Sequence, residues 1–425
     1  MDTRVRPATG LVLTGGGARA AYQVGVLEGI AQVRREAGAQ DSGNPFPIVA
    51  GTSAGAINAA ALACGADDFD TAVQRIAQVW RGFSTSQVYR TDSFSMLDAA
   101  ARWRMVLGMG QFIAKWLRIR PRSLLDNTPL AELLAERVPL DRLPWLLRRG
   151  HLHGLAVTAS SYSSGEHATF YQCARHVAPW VRSQRVAVPC RIGTAHLLAS
   201  SAIPFVFPAT ELPMGGHAEY FGDGSMRQSA PLAPAIHLGA QRILAIGAGR
   251  LAEPRGTGAL APNALTGYPS VAQIAGHAMS SIFLDSLAVD VERLRRINHT
   301  LGLIPPEARH QSGLQPLELL LITPSQRIDV IASRHVDALP GAVRRLFVGM
   351  GADSTARIKA AAFASYLLFE TPFTEELIAL GRADTLAQRG AVCAFFGWND
   401  GAGAQAAPAG TDSRLTMRTA SSTPS

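Results

Sequence analysis

A serine stands between two glycines in Gly51-Thr52-Ser53-Ala54-Gly55, where the apolar run "FPIVA" meets the small-residue run "AINAAALACG". On a sharp strand-to-helix turn, such a serine presents its hydroxyl at the rim of a sheet and can attack an ester carbonyl. With 40 glycines and 29 serines in 425 residues, G-x-S-x-G arises by chance in roughly one such chain in four. The pentapeptide therefore needs partners, and two stretches offer them. "TGGGARAA" carries Gly15, Gly16 and Gly17 directly ahead of a helical run. Backbone without Cβ atoms, next to a helix start, can offer N–H groups to a phosphate or to a developing oxyanion. "AEYFGDGSMRQSAPLAPAI" places Asp223 in an Asp-Gly turn straight after a short apolar strand. In an open parallel sheet Asp223 can reach the same edge as Ser53, where such folds hold ligands.

The elements that must position these groups are legible around them. "GLVLTGGG" (10–17) reads as a buried strand ending in a glycine turn, and "ARAAYQVGVLEGIAQVRREAG" as the helix that follows. "PFPIVA" (45–50) is a second buried strand and "SAGAINAAALACG" a second helix, whose small residues allow close approach to the sheet. Strand, helix, strand, helix within the first 65 positions predicts an α/β fold with a parallel sheet. Positions 70–150 turn mostly helical and read as an insertion or cap. Further strands are expected at 152–160, 167–172, 218–222, 241–249 and 317–324, and helical hairpin material at 353–390 with its junction at Pro372. The expected organisation is a catalytic core over 8–250, a strand and helices packed on it over 251–398, and a small, polar, disordered tail over 399–425.

Composition narrows the class. Hydrophobic residues make up 47%, enough for a large core. The net charge of +8 is carried almost wholly by arginine, with lysine only at Lys115 and Lys359, a bias that a GC-rich genome produces. A basic surface favours anionic lipid; no basic stretch interleaves with aromatics as a nucleic-acid module would, so nucleic acid is not expected as a partner. Cys64, Cys173, Cys190 and Cys393 are scattered without C-x-x-C spacing and read as thiols in a reducing compartment. The N-terminus lacks an apolar signal core, and no run of about 18 apolar residues appears. A cytoplasmic location is expected, with reversible membrane contact. The stretch "ARWRMVLGMGQFIAKWLRIRPR" (101–122) is the candidate for that contact, with six cations, no carboxylate, and Trp103 and Trp116 among aliphatics. It reads equally as a cap helix with snorkelling arginines.

The ordered motifs resemble those of the patatin-like phospholipases: a G-G-G-x-[RK]-G loop, here Gly15 to Ala20; a G-x-S-x-G serine, here Ser53; and a D-G-[GAS] aspartate, here Asp223-Gly224-Ser225. "ASSAIPFVFPA" (199–209) is similar to the family's A-S-x-A-I-P-x-x-F-P segment, and the one departure is Ala20 where glycine is usual. The resemblance implies a three-layer α/β/α fold and a lipid acyl hydrolase acting on phospholipid or other lipid esters without a metal or other cofactor. It implies Ser53 as nucleophile and Asp223 as the group that takes its proton, with Gly15, Gly16, Gly17 and Ala18 as the oxyanion hole. Arg19 would order that loop or neutralise a lipid phosphate. Ile203, Phe205, Val206 and Phe207 are candidates for the pocket walls, with Ile203, Phe205 and Phe207 as substrate contacts or, more readily, ordinary core. A general carboxylesterase, an acyltransferase and a Ser-His-Asp hydrolase are the alternatives; His196 and His217 lie nearest the motifs and read as structural. Dinucleotide binding through Gly15 to Ala20 is rejected, because strand two ends in "VAGTSAG" without the carboxylate that would hold a ribose.

Overall fold

The computed structural model describes residues 7–90, 123–249, 271–309, 311, 313–349 and 357–399. Strand β1 (Thr9–Leu13) is buried along its whole length, with Leu11 and Leu13 in one apolar cluster and Val12 in the other. A strand apolar on both faces needs cover on both, which is the pattern of a central parallel strand. β1 pairs in parallel with β2 (Ile48–Thr52) on one side and with β9 (Arg242–Ile246) on the other. β2 pairs in parallel with β3 (Gly154–Ser161), and β9 with β10 (Glu318–Ile322). Beyond β3 the sheet turns antiparallel at β4 (His167–Cys173) and continues through β6 (Arg185–Pro189) to β5 (Val181–Arg182). A hairpin of β7 (Thr210–Met214) and β8 (His217–Asp223) attaches to the last residues of β3.

Helices cover both faces. On the Leu11/Leu13 side lie Ala21–Glu36, Ala54–Ala63, Phe69–Arg81 and Thr371–Ala387. Tyr22 ties the first of these to the last by donating to Asp384 Oδ2 at 2.9 Å. On the Val12 side, Leu287, Val291 and Leu294 of helix Val271–Leu303 pack with Ile243 and Ala245. The result is a mostly parallel sheet between two helical layers.

The strands expected at 152–160, 167–172, 218–222, 241–249 and 317–324 are present as β3, β4, β8, β9 and β10. Not anticipated were β5, β6 and β7. β5 has two residues, β6 ends in Pro189, and β7 carries Pro213 with alternate residues exposed, so none has the length or apolar density that marks a strand. The helical stretch near 70–150 supplies Phe69–Arg81, Thr128–Arg137 and Leu143–Arg149. The candidate membrane segment 101–122 and the tail from 400 onward lie outside the described residues. Among the described residues no helix is long and apolar enough to cross a membrane.

Candidate active site

β2 ends at Thr52 and helix Ala54–Ala63 begins two residues later, so Ser53 is the whole of the turn. Its backbone sits in the left-handed region at φ 57, which a non-glycine residue adopts only when its surroundings over-determine it. Those surroundings include the two flanking glycines. A Cβ at Gly55 would lie 2.4 Å from Thr14 O and 2.5 Å from Leu13 O, and one at Gly51 would lie 2.5 Å from Gly55 O. The G-x-S-x-G spacing is thus what lets the helix leave β2 while pressed against β1. Gly55→Ala is expected to destabilise the fold by about 1–3 kcal/mol through overpacking, although alanine is the better helix former. Urea denaturation followed by circular dichroism measures it, and unchanged or increased stability would contradict the packing argument.

Ser53 Oγ donates to Asp223 Oδ2 at 2.5 Å, and both residues are buried, Asp223 completely. β8 delivers Asp223 antiparallel to β3, opposite Ala159. The carboxylate therefore reaches the serine by running against the parallel strands, not as the end of one more parallel strand as the sequence suggested. Its second oxygen, Oδ1, accepts from Ser225 N–H at 2.8 Å. Burial pushes the Asp223 carboxyl up to about 6, against the opposing pull of the hydrogen bonds from Ser53 and Ser225. A carboxylate with that affinity for protons, in contact with a serine hydroxyl, can act as a general base near neutral pH.

The glycine loop lies beside this pair. A Cβ at Gly15 would be 3.0 Å from Ser53 Cβ, and Gly17, in the left-handed region at φ 54, lines the same cavity as Ser53. Among the described residues no acceptor is assigned to the N–H groups of Gly15, Gly16 and Gly17. Ala18 differs, because its N–H donates to Tyr366 O at 3.0 Å. That corrects the expectation for Ala18, whose N–H anchors the loop to Tyr366. Of the two roles expected for Arg19, ordering the loop or meeting a lipid phosphate, its contacts fit the first. It is buried, its Nε donates to Ser365 Oγ at 2.7 Å and an Nη to Ala362 O at 3.2 Å, and its guanidinium lies 4.1 Å from the Tyr366 ring centroid. Burial pulls its pKa down, with Tyr366 and Asp329 opposing. It orders the loop from behind and does not face the cavity.

A cavity of about 450 Å³ opens at Ser53. Ile203 and Phe207 line it, with Ile57, Ala61, Leu134 and Trp80. Phe205 does not: it is 73% exposed, at φ 65, while its carbonyl accepts from Leu124 N–H at 2.9 Å. Cys64 also lines the cavity, but burial pushes its thiol up to about 12 and so keeps it protonated. His196 bonds to Gly193 N–H and Cys190, and His217 to Glu219, so neither bonds to the serine–aspartate pair.

Some residues of the site carry no chemical signature in the sequence. Ser200 Oγ accepts Ser53 N–H at 2.8 Å, and Ala202 O accepts Asp223 N–H at 3.0 Å, so the "ASSAIP" segment holds the backbones of both partners. Behind the glycine loop runs a buried chain of amides. Trp80 Nε1 donates to Asn58 Oδ1, Asn58 Nδ2 donates to Gln23 Oε1, and Gln23 Nε2 donates to Thr14 O, at 2.8, 3.1 and 2.7 Å. It ties the loop to the helix Ala54–Ala63 that follows Ser53. The quoted "ASSAIP" run was a usable signal for the first pair; for the amides, only their place within apolar helices was.

A family model of patatin-like phospholipases matches residues 11–236, more than half of the chain. The chain belongs to the patatin-like phospholipase family. At family level, membership places it among the lipid acyl hydrolases. No match was found among curated proteins. Of solved structures, VipD from Legionella pneumophila is 14% identical, with a TM-score of 0.31, over 88% of this chain and 67% of that one. Human GIVD cytosolic phospholipase A2, in complex with methyl gamma-linolenyl fluorophosphonate, is 12% identical, with a TM-score of 0.37, over 92% of this chain and 59% of that one. The chain therefore spans about three fifths to two thirds of the length of these neighbours. At such TM-scores neither bears on the chemistry of this patatin-like protein.

Proposed function

We propose that this patatin-like protein hydrolyses carboxylic esters of phospholipids through a Ser53–Asp223 dyad, by way of an acyl-enzyme. The observation that carries the proposal is the 2.5 Å hydrogen bond from Ser53 Oγ to a fully buried Asp223, at the mouth of an apolar cavity. Ser53 Oγ attacks the ester carbonyl while its proton passes to Asp223 Oδ2. The tetrahedral oxyanion is met by N–H groups of Gly15–Gly17, each such donor being worth about 10²–10³ in rate. As the carbonyl re-forms, the C–O bond to the lysolipid breaks and its alkoxide takes the proton from Asp223. Water then gives its proton to the same carboxylate as it attacks the acyl-serine, and the fatty acid leaves with Ser53 Oγ reprotonated. Reaching a lipid ester means meeting a lipid surface, and the net charge of +8 favours an anionic one.

The cavity is the proposed acyl site. Ala54, Ile57, Asn58, Ala61 and Cys64 line it at helical spacing, so it follows the helix for about 15 Å from Ser53 at 1.5 Å per residue. Fluorophosphonate labelling, with the modified peptide identified by mass spectrometry, tests the nucleophile; a label elsewhere than Ser53 refutes it. Ala61→Phe tests the cavity. It should lower kcat/KM for p-nitrophenyl laurate at least about tenfold relative to the butyrate ester, since each buried methylene is worth about 0.8 kcal/mol. An unchanged chain-length profile would mean that the acyl chain lies elsewhere.

A further inference from the structure

Ser225 also borders a second pocket of about 440 Å³, lined by a different set of residues. Nine of its eleven lining residues are polar and none is acidic: Arg185, Arg227, Gln184, Gln228 and five serines, against Met226 and Ile282. Three elements build it. The two-residue turn between β5 and β6 leads into Arg185, the turn after Asp223 supplies Ser225 to Ser229, and helix Val271–Leu303 supplies Ser281 and Ser286.

Neither guanidinium has a carboxylate within 4 Å among the described residues. Arg227 spends one N–H on Gly165 O and keeps the rest of its fork. The charge of Arg185 is felt inside the fold, where it adds to burial in holding the His167 imidazole down at about 4. Asp290, the nearby carboxylate that Arg185 also influences, is committed to Leu232 N–H at 3.0 Å and to Arg293 at 3.4 Å.

Ser225, only 5% exposed, borders the pocket with its Oγ turned towards Gly15 and Asp223, so it links the pocket wall to the dyad. Two arginine forks, hydroxyl donors and no carboxylate form a set that suits a phosphate group, which takes up to several charge-assisted hydrogen bonds at once.

We infer that the Arg185–Arg227 pocket binds a phosphate group, next to the dyad but outside the acyl cavity. The phosphate is either that of a bound phospholipid, whose ester carbonyl would then lie across Ser225 at Ser53, or free inorganic phosphate acting as an effector. The phospholipid source rests on the reading of Ser53 and Asp223 given above; the phosphate site itself does not.

Isothermal titration of the full chain with inorganic phosphate reads the site without any turnover. Saturable binding is expected, weakened at least tenfold in Arg185→Gln and in Arg227→Gln. Ser286→Glu, which puts a carboxylate into the pocket while keeping both arginines, should weaken it likewise and covers the case in which an arginine variant fails to fold. Absent binding, or binding untouched by the substitutions in folded protein, overturns the inference. The source is then read from kcat/KM on dihexanoyl phosphatidate relative to dihexanoylglycerol. A ratio that falls at least tenfold in the arginine variants assigns the site to the lipid phosphate. A constant ratio, with inorganic phosphate saturably changing turnover of the glyceride, assigns it to free phosphate. Phosphate binding that obeys the substitutions in a protein that cleaves no ester keeps the pocket and refutes the hydrolase reading alone.

Discussion

Ser53→Ala is expected to lower kcat/KM on carboxylic esters by at least about 10⁴-fold, because removing the nucleophile leaves only binding and oxyanion stabilisation. The fold should survive. Ser53 is buried and its backbone is held by Ser200 Oγ and by the packing of Gly51 and Gly55, none of which uses the Ser53 hydroxyl. Alanine meets the same left-handed strain as serine and loses the hydrogen bond to the buried Asp223, so a loss of about 1–2 kcal/mol is expected, whereas Ser53→Gly also relieves the strain and should melt above Ser53→Ala. Turnover of p-nitrophenyl butyrate and a thermal melt on the same preparations measure both effects. Full turnover in folded Ser53→Ala protein would remove the serine from the mechanism.

Asp223→Asn should be comparably damaging, since an amide can accept a hydrogen bond from Ser53 but cannot take its proton. The losses should not add: once either partner is gone, removing the other costs little more. The same residue should govern the acid side of the pH profile. Its folded pKa is raised to about 6 by burial, and the base must be ionised to act, so kcat/KM should fall as pH drops through about 6 and level off above about 7.

Stability has the opposite sign. The folded state binds this proton more tightly than the unfolded chain, so the stabilising contribution of the protonated carboxyl is present below the ordinary aspartate pKa and is lost as pH rises through about 6. Raising Asp223 from the ordinary aspartate value to about 6 corresponds to about 3 kcal/mol at most. Asp223→Asn should therefore melt higher than the parent protein at pH 8, with the difference closing toward pH 4. Equal melting temperatures at pH 8 would show that the carboxylate is not held at a cost, and an acid limb far below pH 6 would show that it is not raised.

Much of this site can be read in the linear chain, for reasons that are local. A strand buried on both faces has to be apolar throughout, so "GLVL" and "PIVA" announce themselves, and a turn pressed between two strands admits only glycine around Ser53. The same applies to Asp223, whose Asp-Gly turn follows directly from β8. These are near-neighbour constraints, and composition records them.

The sequence could not determine which atoms of those motifs are free to act. Ala18 N–H, adjacent to the glycines, is taken by the carbonyl of Tyr366, and Arg19 turns away from the cavity to Ser365, over three hundred positions later. Phe205 shares a motif with Phe207 yet faces solvent, because its positive φ reverses the side chain at that one residue. The antiparallel approach of β8 and the meeting of Arg185 with Arg227 likewise depend on pairings between distant segments. The residue types at Ser53 and Asp223 were determined by the sequence alone. That their side-chain oxygens meet at 2.5 Å in a site without water-exposed surface on the aspartate was decided by the tertiary structure, since burial and hydrogen-bond partners belong to the packed whole.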